Sequence, residues 1–242
     1  MIKAVKERMI GIVRTPTDTL GEVMSQKRWQ VAFTVLLLVA FILSFLSAPI
    51  VMKANFEKNP DLYASFPGDG DIGIVGQVLM GLSAVFVYVL RLILVTFFIY
   101  LFYTIFGAEG LFVNYFALVT NASLVTIMIP EIFKSLYLLI SGTIINPFNL
   151  TLLFDFSERA SWSFYILSVF DLFQIWFILM IAFGVFGFFK KTKEKWEEAR
   201  FSLKKSFMIA TAYFAFKSVV IILFSYLFGK LAMSMQQMLI NS

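Results

Sequence analysis

The apolar positions of this chain come in long uninterrupted runs, not in the alternation of a half-buried strand or the one-sided spacing of a surface helix. A helix needs roughly 20 apolar residues to cross a hydrocarbon core of about 30 Å. Five segments reach that length, over 29–51, 74–106, 111–142, 162–189 and 207–229. The pattern predicts an all-α, polytopic membrane protein. Its membrane domain is a bundle of five transmembrane helices over 29–229, with a cytoplasmic amphipathic segment over 1–28 and a short external tail over 230–242. The second and third segments exceed the minimum, so each tilts, kinks or projects into the headgroups. Pro130 is the expected kink, because it lacks a backbone donor and crowds the preceding turn. In the alternative reading Pro130 ends the third span and 131–142 is re-entrant.

Ahead of the first span, Ile2, Val5, Met9 and Ile12 recur at spacings of three and four, with Lys3, Lys6, Glu7 and Arg8 between them. This predicts an amphipathic helix lying in the interface with its cations toward the headgroups. A second helix is expected from Thr15-Pro16-Thr17-Asp18, with Thr15 as cap, Pro16 at the first helical position and Asp18 in the first turn. The polar stretch and the apolar run after it are both too long for a secretory signal. Between spans, Asn59-Pro60, Pro67-Gly68-Asp69-Gly70 and Asn146-Pro147 are turn chemistry. The segment 190–206 mixes basic residues with Glu194, Glu197 and Glu198 and reads as a short surface helix.

Composition agrees with this picture. Of 242 residues, 60% are hydrophobic and 14% charged, against about 25% charged in a soluble domain. The excess of apolar surface is accommodated by lipid. Thirteen basic residues flank the spans on one side: Lys3, Lys6, Arg8, Arg14, Lys27 and Arg28 before the first, and Lys190, Lys191, Lys193, Lys195, Arg200, Lys204 and Lys205 before the last. Only Lys53, Lys58, Arg159 and Lys230 flank the other. The bias predicts a multi-pass protein of the cytoplasmic (inner) cell membrane, amino terminus inside and carboxyl terminus outside.

There is no Cys and no His, which removes thiolate nucleophiles, the commonest zinc ligands and the usual general base. Phosphate-binding glycine motifs are absent, and no basic arm interleaved with aromatics suggests nucleic acid. No enzymatic activity, cofactor or metal is expected. What remains is a set of ionisable residues inside the spans: Arg91, Glu131, Lys134, Asp171 and Lys217. Each costs about 2.5–3.5 kcal/mol at the bilayer centre on insertion scales, so partners are expected. Glu131 and Lys134, three apart, can pair on one helix. Asp171, about nine residues inside the fourth span, is expected to pair with Arg91 or Lys217. Such charges either fix helix packing or line a polar route. Trp29, Trp162 and Trp196 fall at interfaces, Trp176 inside a span as a packing residue, and Ser44 with Ala48 and Ser225 with Gly229 offer small-residue helix contacts.

Three features together resemble a known family. A proline-led segment, Arg14-Thr15-Pro16-Thr17-Asp18-Thr19-Leu20, precedes the first span. The fourth span reads Phe170-Asp171-Leu172-Phe173-Gln174-Ile175-Trp176, with Gly184 eight residues after the tryptophan. A basic loop then leads into one last span. The whole chain is thereby similar to the bacterial branch of the Yip-domain family, named for proteins that interact with Ypt/Rab GTPases. Pro16, Asp171, Trp176 and Gly184 are the matching positions, none with a transferable role. The resemblance implies a five-pass, non-enzymatic membrane protein. Short loops, no catalytic constellation and charges able to organise helix contacts make a scaffold or accessory subunit the leading expectation, in contact with membrane lipids and with a membrane-protein partner such as an exporter. GTPase binding is not carried over, because the cytosolic amino terminus is short and Asp61-Leu62-Tyr63 falls in an outer loop. A transport component with an intramembrane polar pathway is the alternative.

Overall fold

A computed structural model describes residues 2–58, 73–142, 148, 166–167, 171–192 and 201–240. Its elements are helices: α1 (Ile2–Arg14), α2 (Pro16–Ser25), α3 (Gln30–Lys58), α4 (Ile74–Ile105), α5 (Phe112–Thr126), α6 (Met128–Ser141), α7 (Leu172–Thr192) and α8 (Leu203–Ile240). Five stretches are long and apolar enough to cross a membrane: Gln30–Glu57, Ile74–Ile105, Phe112–Ser141, Leu172–Lys191 and Leu203–Leu227. The chain is an all-α, multi-pass membrane protein. Leu38, Ile42 and Leu46 on α3 and Leu79, Leu82 and Phe86 on α4 are exposed, as lipid-facing positions should be. The first loop's turn sequences, Asn146-Pro147, Trp162, Trp196 and residues 193–200 of the basic loop lie outside the described residues.

The third span is the axis of the bundle. Its apolar window is 72% buried, against 11% in the first span. α5 touches α1, α2, α3, α4 and α7. With lipid on few of its sides, it tolerates polar residues that bond back to their own helix: Thr120 Oγ1 to Phe116 O at 2.6 Å, Ser123 Oγ to Val119 O at 2.7 Å and Thr126 Oγ1 to Ala122 O at 3.0 Å. The span breaks at Ile127 rather than bending at Pro130. Proline at 130 has no N–H for the Thr126 carbonyl four residues earlier and its ring presses on that carbonyl. The break therefore falls one turn upstream of the proline that causes it. α6 continues the span to Ser141 and stops at Gly142, whose φ of 68° forms a left-handed cap.

Several boundaries differ from expectation. α3 runs through Pro49 to Lys58 instead of ending at residue 51. The fourth helix begins at Leu172, so Asp171 stands at its mouth and not nine residues inside it; the stretch expected before it lies mostly outside the described residues. α8 extends from Leu203 to Ile240, so the expected tail from 230 is helical through Ile240.

The largest correction concerns the amino terminus. α1 does not turn its apolar face to lipid: Ile12 is fully buried, and Val5 and Met9 pack against the protein core. α2, with Leu20, Val23 and Met24 buried, lies directly on α7. Glycine makes that contact possible. A Cβ on Gly21 would lie 2.5 Å from the Gly187 carbonyl carbon, and one on Gly187 would run into the Thr17 carbonyl oxygen. A Cβ on Gly184 would overlap Leu118 and stand 3.0 Å from Leu20 Cβ. The small residues let backbones touch, the usual device for helix association where lipid supplies no hydrophobic drive. Pro16 occupies the first helical position as expected, but Thr15 makes no side-chain cap; its hydroxyl bonds to Gly11 O at 3.3 Å.

Candidate functional site: a polar chamber between the spans

The five charged residues read from the sequence come from four spans, yet they line one cavity of about 300 Å³. Arg91 arrives from α4, Glu131 and Lys134 from α6, Asp171 from the start of α7 and Lys217 from α8. Gln174, Thr126, Ile127 and Pro130 join them, so the broken segment of the third span forms part of the wall. At 1.5 Å per residue the chamber sits roughly 20–30 Å along the helices from the end where α1 and α2 lie. It is a charged compartment in the far half of the membrane domain.

Each charge is held differently. Lys134 Nζ pairs with Glu131 Oε1 at 3.5 Å, as the three-residue spacing predicts. Lys217 Nζ donates to Gln174 Oε1 at 2.7 Å. Asp171, only 5% exposed, accepts from the Phe173 backbone N–H at 2.8 Å through Oδ1. It is therefore the N-cap of α7, its carboxylate at the positive end of that helix. Among the described residues no ion pair joins Asp171 to Arg91 or Lys217, contrary to expectation. The three share a compartment, and Asp171 caps the α7 amino terminus within it. Arg91 is exposed and has neither hydrogen bond nor ion pair among the described residues. The lining residues Arg91, Lys134 and Lys217 against Glu131 and Asp171 leave a formal excess of one positive charge.

A second cavity, of about 320 Å³, adjoins the first and shares Arg91 and Glu131 with it. Its other walls are apolar side chains of α3 and α4, among them Leu36, Leu43 and Ala84, with the hydroxyl residues Ser44, Ser47, Ser135 and Tyr88 between them. The Tyr88 hydroxyl is buried and has no hydrogen-bond partner among the described residues. Ser44 Oγ donates to Met80 O at 3.2 Å, so this expected small-residue position does serve a helix contact.

Trp176 and Gly184 do not reach the chamber wall. Trp176 packs at 6.0 Å from Phe173 against the core, and Gly184 belongs to the α2–α7 contact.

At the other end of the bundle a polar cluster escaped the sequence reading. Asn121, fully buried, donates through Nδ2 to the carbonyls of Arg28 and Ala117, both at 2.8 Å, and accepts from Arg8 at 3.3 Å. Asn114 Nδ2 donates to Met24 O at 2.8 Å. Burial lowers the Arg8 pKa, with Arg28 adding to the effect and Glu22 opposing it. Tyr103 donates to Ser206 O at 2.9 Å, and Ser206 Oγ to Ala182 O at 2.8 Å, joining α4, α8 and α7. The signal was present: two asparagines and several hydroxyls in one apolar span mark a helix that faces protein on most sides.

No family model matches the chain, and no curated protein or solved structure matches it either.

Proposed function

We propose that this multi-pass membrane protein is a transport component whose chamber receives a charged or polar group of its substrate. One observation carries the reading: charged residues from four spans converge on a single cavity at a helix break. A purely structural ion pair needs two residues, whereas a five-charge compartment with an unpartnered Arg91 has binding capacity left over. Discontinuous helices with cavity-lining polar groups are the common construction of membrane binding sites. A polar group entering here would replace water at Arg91 and Lys217, and the α7 amino terminus would orient it.

The basic-residue bias orients the protein with its amino terminus in the cytoplasm. The chamber then lies in the outer half of the bundle. Cysteines placed at Ser65, Asn149 or Asn241 should react with an impermeant reagent in intact cells, and one at Thr192 should not. Labelling at Thr192 alone would reverse the orientation.

The scaffold reading, non-enzymatic and of the Yip-domain type, has its own support. Lys134 and Lys217 are each hydrogen-bonded, which fits charges that serve helix packing. A cysteine at Gln174 separates the two. If the chamber is a route, a small sulfonate thiol reagent added outside reaches that cysteine, and proteoliposomes carrying the protein show saturable flux within a panel of labelled polar solutes. A chamber closed to the reagent, silent proteoliposomes and a stoichiometric membrane partner recovered by crosslinking would establish the scaffold instead.

A further inference from the structure

We infer that the two adjoining cavities form one site for an anionic amphiphile, with its acidic head at Arg91 and its alkyl chain between α3 and α4. This deepens the transport reading by naming the substrate class, and rests on that reading only for the claim that the ligand moves. The choice of class follows from what each cavity leaves unsatisfied. Arg91 faces both spaces and has no counter-ion among the described residues. Glu131 also faces both, but Lys134 already holds it at 3.5 Å. The free demand at the junction is thus for an anion, and a planar guanidinium suits the oxygens of a phosphate or carboxylate.

Beside it, the Tyr88 hydroxyl is buried without a partner. A buried hydroxyl is expected to be bonded, and as a donor it would complete the shell of an acidic oxygen. Beyond these polar groups the second cavity is walled by Leu36, Leu43, Ala84 and Val87, which favour hydrocarbon. Val87 is 59% exposed and Arg91 is exposed as well, so the space opens toward the lipid-facing side of α4, where a chain can enter sideways. At about 320 Å³ it falls within the usual range for small-molecule sites, roughly 300–1,000 Å³. A simple anion would leave this apolar space unused, and a neutral lipid would leave Arg91 unanswered.

The test uses the full chain in nanodiscs of zwitterionic lipid, with a diazirine-bearing dodecyl phosphate as photoprobe and mass spectrometry to locate adducts. Adducts on the cavity faces of α3 and α4 are expected, suppressed by excess dodecyl phosphate but not by dodecanol or inorganic phosphate. Arg91→Gln should reduce them at least tenfold and Arg91→Lys much less. Ala84→Phe, which fills the apolar space, should abolish them. Thermal unfolding of each variant identifies any that misfold, and Tyr88→Phe, expected to weaken labelling several-fold, stands in for a lost one. Adducts indifferent to both Arg91→Gln and Ala84→Phe, or equal competition by dodecanol, would overturn the site. Competition by inorganic phosphate alone would reduce it to a free-anion site and overturn the amphiphile. Labelling that persists without any flux sinks the transport reading and leaves this site standing. Flux without cavity labelling sinks only the site.

Discussion

The two ends of the membrane domain treat polar groups in opposite ways. At the end holding α1 and α2, glycines bring backbones into contact, and Asn114, Asn121 and the Tyr103–Ser206 pair spend their hydrogen bonds joining one element to another. Tyr115 is the exception, its hydroxyl buried without a partner among the described residues. Farther along the spans the helices part around two cavities, where Lys134 holds Glu131 within α6, Lys217 reaches Gln174 across α8 and α7, and Arg91 has no partner among the described residues. The packed end holds the helices in place. The open end keeps binding capacity because its helices are already fixed elsewhere, so it need not be tightly packed itself. If so, substitutions at the first end should lower stability, and those at the second should alter binding or flux while stability holds.

The sharpest break in this comparison comes from Gly187→Val. The added side chain meets the Thr17 carbonyl, which belongs to backbone and cannot rotate away. Overpacking typically costs about 1–3 kcal/mol and more where backbone must move, so the variant should fall to the detection limit in membranes. Normal abundance and melting temperature would mean that α2 does not lie on α7. Asn121→Leu comes next. It removes the Asn121 bonds to the Arg28 carbonyl and from Arg8, which keep only their mutual contact at 3.5 Å, and each hydrogen bond lost costs about 0.5–1.5 kcal/mol. Its melting temperature should drop clearly, with protease sensitivity appearing first in residues 1–28. Unchanged proteolysis there would show that the clamp is not holding the amino terminus.

Asp171 lies on the boundary between the two behaviours and tests it from the side. As a helix cap it can be replaced by asparagine, which caps about equally well, whereas alanine costs roughly 0.5–2 kcal/mol. Asp171→Asn should therefore keep the wild-type melting temperature and Asp171→Ala should lower it. Should asparagine destabilise as much as alanine, the charge and not the cap is what the fold requires, and Asp171 belongs with the structural residues.

The spans, their number and the charged residues within them were legible because membrane-crossing imposes length and apolarity on contiguous sequence. The pairing of Glu131 with Lys134 was legible too, from their spacing, but the partners of the other three charges were not. Arg91 and Lys217 are far apart in sequence, and nothing local indicates that Gln174, one turn from Asp171, would receive the lysine. The amino-terminal segment was misplaced for a related reason. The spacing of Val5, Met9 and Ile12 shows that α1 has an apolar face, but lipid and protein are equally good covers for it. The deciding fact is the series Gly21, Gly184 and Gly187, whose significance appears only when residues more than a hundred positions apart meet. Pro130 correctly marked a discontinuity, and its effect on the carbonyl four residues earlier explains why the break is at Ile127.

The most informative substitution for function, with a small expected change in stability, is Lys217→Met. The substitution keeps the length of the side chain and removes its charge and its bond to Gln174. Gln174 faces a cavity large enough for water, so its oxygen need not go unbonded. Loss of a replaceable hydrogen bond costs about 0.5–1.5 kcal/mol, and removing one of three cations around the chamber relieves like-charge repulsion in the opposite sense. The net should shift the melting temperature by no more than about 4 °C. Flux through the reconstituted protein should nevertheless fall at least tenfold, because the excess positive charge of the lining disappears. A collapse in stability with flux retained would reverse the comparison: Lys217 would then serve the fold, and the chamber would be one more packed joint between helices.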